Sequence, residues 1–273
     1  MALVRLDPDH PGFRDPAYRA RRKAIARLAF EYQGGVVPDA PYSAAEHAVW
    51  SAVWARFGEL HARHACREFG VLSRRLGLDP GRIPQLATLN SILERSTGFR
   101  MEPVAGLIEG REFLARLGDG IFLATQYVRH PSRPFYTPEP DVIHELVGHA
   151  ATLMHPGIAG LSRAFGSAAQ EAGPVEALVL ERVYWYTLEF GAIAGADGPK
   201  AFGAGLLSSS GEIERFAAQA ELRPWNLESM AASAYDPTAF QERIYVAPSF
   251  HDLIRDLRVW LAAGGWRRES RLL

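Results

Sequence analysis

Apolar positions recur at helical spacing over much of the chain, broken by proline- and glycine-rich stretches. Val49, Trp50, Val53, Trp54, Phe57 and Leu60 fall three or four residues apart, which predicts an amphipathic helix facing a core. Ser43 stands before it with Glu46 three residues on, the signature of a capping box. An earlier helix is predicted over 16–30, where Ala24, Ile25, Leu28 and Ala29 alternate with Arg19, Arg21, Arg22, Lys23 and Arg27. Those charges suit a solvated helix face better than a nucleic-acid-binding arm. Gly34-Gly35, Pro38 and Pro41 mark the intervening loop. Pro80 to Pro84 turns the chain, and Leu86 to Leu93 forms a short helix. The apolar run from Ile121 to Val128 predicts a buried strand.

Pro131, Pro134, Pro138 and Pro140 then stiffen an extended loop, because each fixes its own φ and restricts the residue before it. Helices are predicted around 141–153 and 174–194, a Gly/Ser loop over Gly203 to Gly211, and a last helix around 249–263. That helix carries Phe250, Ile254, Leu257 and Trp260 on one side. No composition break divides the chain, so residues 1–273 are expected to form one mainly α domain with a few short strands.

Composition acts chiefly by exclusion. The 273 residues are 48% hydrophobic and 22% charged, enough to bury a sizeable core. A net charge of −1, from 30 basic and 31 acidic residues, lacks the basic excess that nucleic-acid binding uses. The single cysteine, Cys66, excludes an intramolecular disulfide and a cysteine-rich zinc cluster, and is expected as a small buried side chain in a helix. The first ten residues, Met-Ala-Leu-Val-Arg-Leu-Asp-Pro-Asp-His, contain no apolar signal region, and no run of about 18 uncharged apolar residues follows. A cytoplasmic protein without a membrane partner is the expectation.

The chemistry concentrates in Pro140-Asp-Val-Ile-His-Glu-Leu-Val-Gly-His149. On an ideal helix, side chains five apart diverge by about 140°. His144 and His149 therefore meet one ion only if the helix distorts or ends nearby. The His-Glu-x-x-His zinc-protease spacing is absent, with one extra residue intervening. Forty residues after the second histidine, Glu189 is the only charge in Val183-Tyr-Trp-Tyr-Thr-Leu-Glu-Phe-Gly191. A carboxylate in such a run is costly unless a cation or strong donors meet it. Two imidazoles and one carboxylate form the facial triad that leaves coordination positions open on ferrous iron. His130 and His155 lie near in sequence, but neither is an obvious fourth ligand; His155 sits in Met-His-Pro-Gly and reads as a turn residue. The guanidinium of Arg129 has the planar fork that clamps a carboxylate, although a surface ion pair explains it equally well. Thr137 and Ser208 offer hydroxyls, and Pro140, Trp185 and Phe190 offer walls for a flat pocket, or simply core.

From about residue 6 to residue 255 the chain resembles the aromatic amino acid hydroxylase family. The likeness runs through LDPDHPGFRDPAYRARRK, IPQL, TGFRMEPVAGL, TQYVRHPSRPFYTPEPDVIHELVGH, YWYTLEFG, AFGAGLLSS and YVAPSF, in that order. The resemblance implies a basket-like helical catalytic domain that uses iron(2+) and a tetrahydropterin, tetrahydrobiopterin or a relative, to hydroxylate a free aromatic amino acid with dioxygen. It implies iron ligation by His144, His149 and Glu189. It assigns Arg129, Thr137 and Ser208 to the amino and carboxylate groups of the substrate, and Pro140, Trp185, Phe190 and Gly205 to the ring pocket. Phe113 resembles the pterin-stacking phenylalanine, with Gly106, Leu107, Ile108 and Glu145 lining the same site. Tyr235 resembles a mobile tyrosine that approaches when substrate and pterin are both bound, and Glu145 and Tyr235 are the expected catalytic side chains.

The chain also departs from the family pattern. Where members commonly have proline two residues after the second histidine, this chain reads Ala150-Ala-Thr-Leu-Met-His-Pro, which implies a reshaped loop beside the metal. Trp185 resembles the phenylalanine-preferring members, and Pro237 stands where tyrosine hydroxylases resemble one another in having aspartate. Phenylalanine is thus the expected substrate and tryptophan the second choice. Animal members carry a regulatory domain and a tetramerising helix for which this chain has no room, so a monomer is expected. Two other readings use the same residues: a zinc hydrolase with Glu145 as base, and a binding module whose histidines are core.

Overall fold

The computed structural model describes residues 6, 8, 10–135, 137 and 139–273. Expectations on the first five residues and on Pro138 fall outside the described residues. Helix α1 (Pro16–Glu31) starts at Asp15, whose side chain accepts from the Tyr18 N–H, with proline in the first turn. Arg19, Lys23 and Arg27 are exposed as predicted, but Arg22 is buried. Its guanidinium stacks 3.7 Å over the Tyr127 ring and donates twice to Glu139, at 2.8 and 2.6 Å. The predicted solvated face therefore has one residue turned inward, fastening α1 to the proline loop.

Helix α2 (Ala44–His64) has both halves of the capping box and buries Val49, Trp50, Val53, Phe57 and Leu60. Cys66 is buried, yet it lies at the N-cap of α3 (Arg67–Leu76) rather than within a helix. Helix α4 (Leu86–Thr97) extends beyond its predicted end to an αL glycine, Gly98. Strand β1 (Arg100–Val104) pairs in parallel with β2 (Ile121–Thr125) across α5 (Gly110–Gly118). β2 ends at Thr125, so the strand is three residues shorter than predicted from the apolar run to Val128.

The next two elements carry the site. Residues His144–Ala150 are π-helical and pass into the short α6 (Ala151–Leu153), so the expected loop after His149 is helical. Helix α7 (Pro156–Glu171), which the sequence pattern did not suggest, starts at His155, whose ring accepts from the Gly157 N–H at 3.0 Å. Helix α8 (Pro174–Tyr184) passes into a π-helical turn, Trp185–Glu189, and stops there rather than at 194. β3 (Ala192–Ile193) and β4 (Lys200–Ala201) follow. The predicted Gly/Ser loop is instead two helices, α9 (Ala204–Ser208) and α10 (Ser210–Gln219). Leu206, Leu207 and Ile213 are fully buried there, so apolar content outweighs the glycines.

β5 (Glu221–Pro224), α11 (Leu227–Ala232), β6 (Arg243–Ala247), α12 (Phe250–Ala262) and α13 (Gly265–Glu269) follow, and a 3-10 turn (Ser270–Leu272) ends the order. The four later strands form one sheet in the order β4-β3-β6-β5, with only β3–β4 antiparallel. The architecture is mainly α with a few short strands. No helix among the described residues is long and apolar enough to cross a membrane.

Candidate metal centre and adjoining cavity

Hydrogen bonds that close five residues back bring residues five apart toward one side of a helix. The π-helical stretch His144–Ala150 thereby removes the divergence that an α-helix imposes on His144 and His149. Their Nε2 atoms stand 3.1 Å apart. Glu189 completes a triangle, with Oε1 3.1 Å from His144 Nε2 and Oε2 3.0 Å from His149 Nε2. It too closes a π-helical turn, in which the Phe190 N–H reaches the Trp185 carbonyl at 2.8 Å. Thr187 Oγ1 bonds back to the Val183 carbonyl at 2.6 Å, a contact that bends helices.

Three ligand atoms about 2.1 Å from one ion lie about 3.0 Å apart at right angles and about 3.4 Å apart at tetrahedral angles. The 3.1 Å between the two imidazole Nε2 atoms matches the right-angled spacing, and Glu189 brings one carboxylate oxygen to 3.1 Å from the first and the other to 3.0 Å from the second. Hydrogen bonds alone do not account for these distances. Two imidazole N–H groups that both donate to Glu189 would set their hydrogens against each other at 3.1 Å. No other histidine joins them: His130 meets Asp15 and Ser132, and His155 caps α7.

Neighbouring groups orient the triangle. The Ser208 hydroxyl lies 2.8 Å from His144 Nδ1, the arrangement that fixes the tautomer of a ligating imidazole. Gly148 is required because a Cβ there would come 2.8 Å from the Ala204 carbonyl of α9, the helix that delivers Ser208. Burial raises the Glu189 carboxyl, but His149 and His144 outweigh it and hold the group well below the usual carboxylate range. Burial also lowers His149, whereas in His144 the adjacent Glu189 charge overcomes burial and raises the imidazole. Glu145 lies within 4.8 Å of both imidazoles. Its Oε1, however, is engaged by the Thr125 N–H at 3.1 Å and hydroxyl at 2.9 Å. Burial lifts its carboxyl to about 7 against the pull of His144 and Thr125. Glu189 is therefore the third corner, and Glu145 a group beside it.

The triangle opens onto a cavity of about 210 Å³. Gly106, Leu107, Ile108, Phe113, Pro140, Glu145, Trp185 and Tyr235 line it together with the three corner residues. The remaining expected site residues do not. Phe190 lies behind Trp185, with ring centroids 4.7 Å apart. A Cβ on Gly205 would run into the Phe190 ring, so that glycine makes room for the wall. Ser208 faces His144, and the Thr137 hydroxyl donates to the Glu139 carbonyl at 2.8 Å. Arg129 is 2% exposed and forms a buried, two-pronged pair with Asp141, not a surface one.

Two residues at the site, Thr125 and Gln241, escaped sequence reasoning. Thr125 ends β2, and Gln241 lies in an irregular segment before β6. The Gln241 side chain accepts from Trp185 Nε1 at 2.8 Å and donates to the carbonyls of Asp236 and Ala239 at 3.0 Å. It thereby ties the Trp185 indole to the segment carrying Tyr235, whose ring stacks on Trp185 at 4.3 Å. The amide in Phe-Gln-Glu-Arg carries no periodic signal that would have singled it out.

The family model for biopterin-dependent aromatic amino acid hydroxylases matches residues 2–266. Mouse phenylalanine-4-hydroxylase is 42% identical over 263 residues, covering 94% of this chain and 58% of that protein. Tyrosine 3-monooxygenase of Schistosoma mansoni is 40% identical over 266 residues, covering 95% and 57%. The chain thus spans under two thirds of the length of these relatives. Phenylalanine hydroxylase of Chromobacterium violaceum with bound oxidised Fe(III) superposes with a TM-score of 0.80 at 31% identity, over 91% of each chain. The same enzyme with iron(III) and oxidised 7,8-dihydrobiopterin gives 0.77 at 32% identity, over 89% of this chain and 92% of that one. Fold and sequence agree, and the chain belongs to the biopterin-dependent aromatic amino acid hydroxylase family.

Proposed function

We propose that this chain hydroxylates the ring of free L-phenylalanine, with iron(2+) held by His144, His149 and Glu189 and a tetrahydropterin beside Phe113. The observation that carries this reading is the triangle of 3.0–3.1 Å contacts opening onto a cavity walled by aromatic rings. When bound, the iron and the tetrahydropterin together activate dioxygen, the pterin supplying two electrons. The protein's own part is orientation and exclusion of water. Phe113, Gly106, Leu107, Ile108 and Glu145 border the space assigned to the pterin, and Glu145, its carboxyl lifted to about 7 by burial, can donate as well as accept. Pro140 and Trp185 wall the substrate ring, backed by Phe190 and Gly205. To Arg129, Thr137 and Ser208, which stand behind the cavity wall, we assign the amino and carboxylate groups of the substrate. Holding the substrate at a fixed distance from the metal lowers the barrier by removing the entropy cost of bringing the reacting groups together.

Aerobic turnover of phenylalanine, tryptophan and tyrosine with ferrous iron and tetrahydrobiopterin tests the reading. Tyrosine formed from phenylalanine, identified by mass and retention, is the expected product. Activity restored by zinc and not by ferrous iron would instead favour the hydrolase. We further place the enzyme in the cytoplasm as a monomer without nucleic-acid or membrane partners, in keeping with its free cysteine and net charge of −1.

Identity to phenylalanine and tyrosine hydroxylases is similar, so preference rests on the pocket. The Trp185 indole, held by Gln241 and stacked on Tyr235, leaves space for a benzene ring and crowds a fused pair. Trp185→Phe is expected to raise kcat/KM for tryptophan relative to phenylalanine about tenfold, the scale on which apolar pockets discriminate size. An unchanged ratio at matched iron loading would assign specificity to other walls.

A further inference from the structure

Glu145 is not the only carboxylate in the cavity outside the triangle. Glu181 lines the cavity from α8, on the face that also presents Tyr184, Trp185 and Glu189. The last turn of α8 and the π-helical turn Trp185–Glu189 separate it from Glu189 along the chain. Its carboxyl group lies against Gly110, where a Cβ would come 2.8 and 2.9 Å from its two oxygens. Gly110 closes the segment that begins with the cavity-lining Gly106, and Leu107 of that segment is 69% exposed, marking the open end. Among the described residues, no hydrogen bond or ion pair is made to the Glu181 carboxylate. Burial, and then the charge of Glu109, raise it above the usual range. A half-buried carboxylate that faces a ligand cavity is placed to accept from a ligand that brings a donor as it displaces water.

We infer that Glu181 is a specificity-determining residue for the pterin, accepting hydrogen bonds from hydroxyl groups on its side chain and disfavouring pterins with an anionic tail. The inference rests on the proposed pterin site. Tetrahydropterins share the bicyclic ring and differ in the substituent at C6. A hydroxylated propyl chain brings donors to a carboxylate, a methyl group brings none, and a glutamyl tail brings like charge. The exposed Glu109, which caps α5, adds a second negative charge near that end. Like charges placed together at a binding surface reject a competitor as effectively as new contacts favour the ligand.

Equilibrium binding, read by titration calorimetry without turnover, tests this on the iron-loaded chain. The probes are 7,8-dihydrobiopterin, 6-methyl-7,8-dihydropterin and 7,8-dihydrofolate. The wild-type chain is expected to bind dihydrobiopterin on the order of tenfold more tightly than the methyl analogue, as for a hydrogen bond to a charged acceptor. Glu181→Ala should erase that gap and strengthen dihydrofolate binding. Glu181→Gln, which keeps an acceptor and loses the charge, should retain part of the gap and still admit dihydrofolate more readily. Equal affinity for the first two probes in the wild type, or an undiminished gap in Glu181→Ala, overturns the role of Glu181 and leaves the hydroxylase reading standing. A wild-type chain that binds none of the three overturns that reading, and this inference with it.

Discussion

Replacing Glu189 with alanine is expected to empty the metal site and abolish hydroxylation while the helical circular dichroism signal persists. Each corner of the triangle touches the other two at 3.0–3.1 Å, so the carboxylate is held against both imidazoles at once. Glu145, the nearest acid, is committed to Thr125 and lifted to about 7. His144→Ala and His149→Ala should behave alike. Ser208→Ala supplies the graded control, because it removes only the partner of His144 Nδ1. Losses of such outer contacts lower metal affinity roughly 10–100-fold, and loss of a ligand should exceed that range. The measurement is bound iron after anaerobic loading and desalting, paired with single-turnover product. Full occupancy in Glu189→Ala would sink the triad.

The residues of this centre were legible in the sequence, but the geometry joining them was not. Two histidines five apart are a poor match to an α-helix, and the spacing alone demanded a distortion without naming it. The distortion is a π-helical turn, repeated at Glu189, and both arise from long-range packing. Gly148 admits α9, and the chain leaves the second turn at Gly191, whose carbonyl accepts from the N–H groups of Phe202 and Gly203. Where local pattern dominates, as in the Ser43 cap and the stripe of α2, the elements stand as predicted. Where composition stood in for pattern, they do not. Gly203 to Gly211 looked like a loop because its glycines and serines were weighed above Leu206 and Leu207. His155-Pro156-Gly157 looked like a turn, although proline in a first turn starts helices as readily as it ends them. Gln241 and Glu181 needed the folded chain, since a lone polar residue means nothing until its neighbours across the cavity are known.

Truncating Arg129 is expected to lower stability and activity together, and the two losses can be separated. Its Nε and Nη2 donate to Asp141 at 2.9 and 2.8 Å, and its backbone N–H adds a third bond at 2.8 Å. Asp141 is fully buried, and its Oδ1 also accepts from the His144 N–H at 3.2 Å, at the start of the π-helical stretch His144–Ala150. Arg129→Ala leaves that carboxylate without its cation, a change that costs about 3–5 kcal/mol when a buried pair loses one member. If Arg129 also holds the substrate carboxylate, as proposed, kcat/KM for phenylalanine falls by a further 2–5 kcal/mol or so. Arg129→Lys should rescue little, because a single ammonium cannot span both Asp141 oxygens and still face a ligand. Adding Asp141→Asn to Arg129→Ala removes the orphaned charge. Denaturant midpoints should then recover much of the lost stability, while KM for phenylalanine stays raised. Recovery of both in the double variant would mean that Arg129 serves only to neutralise Asp141 and that the substrate carboxylate is bound elsewhere.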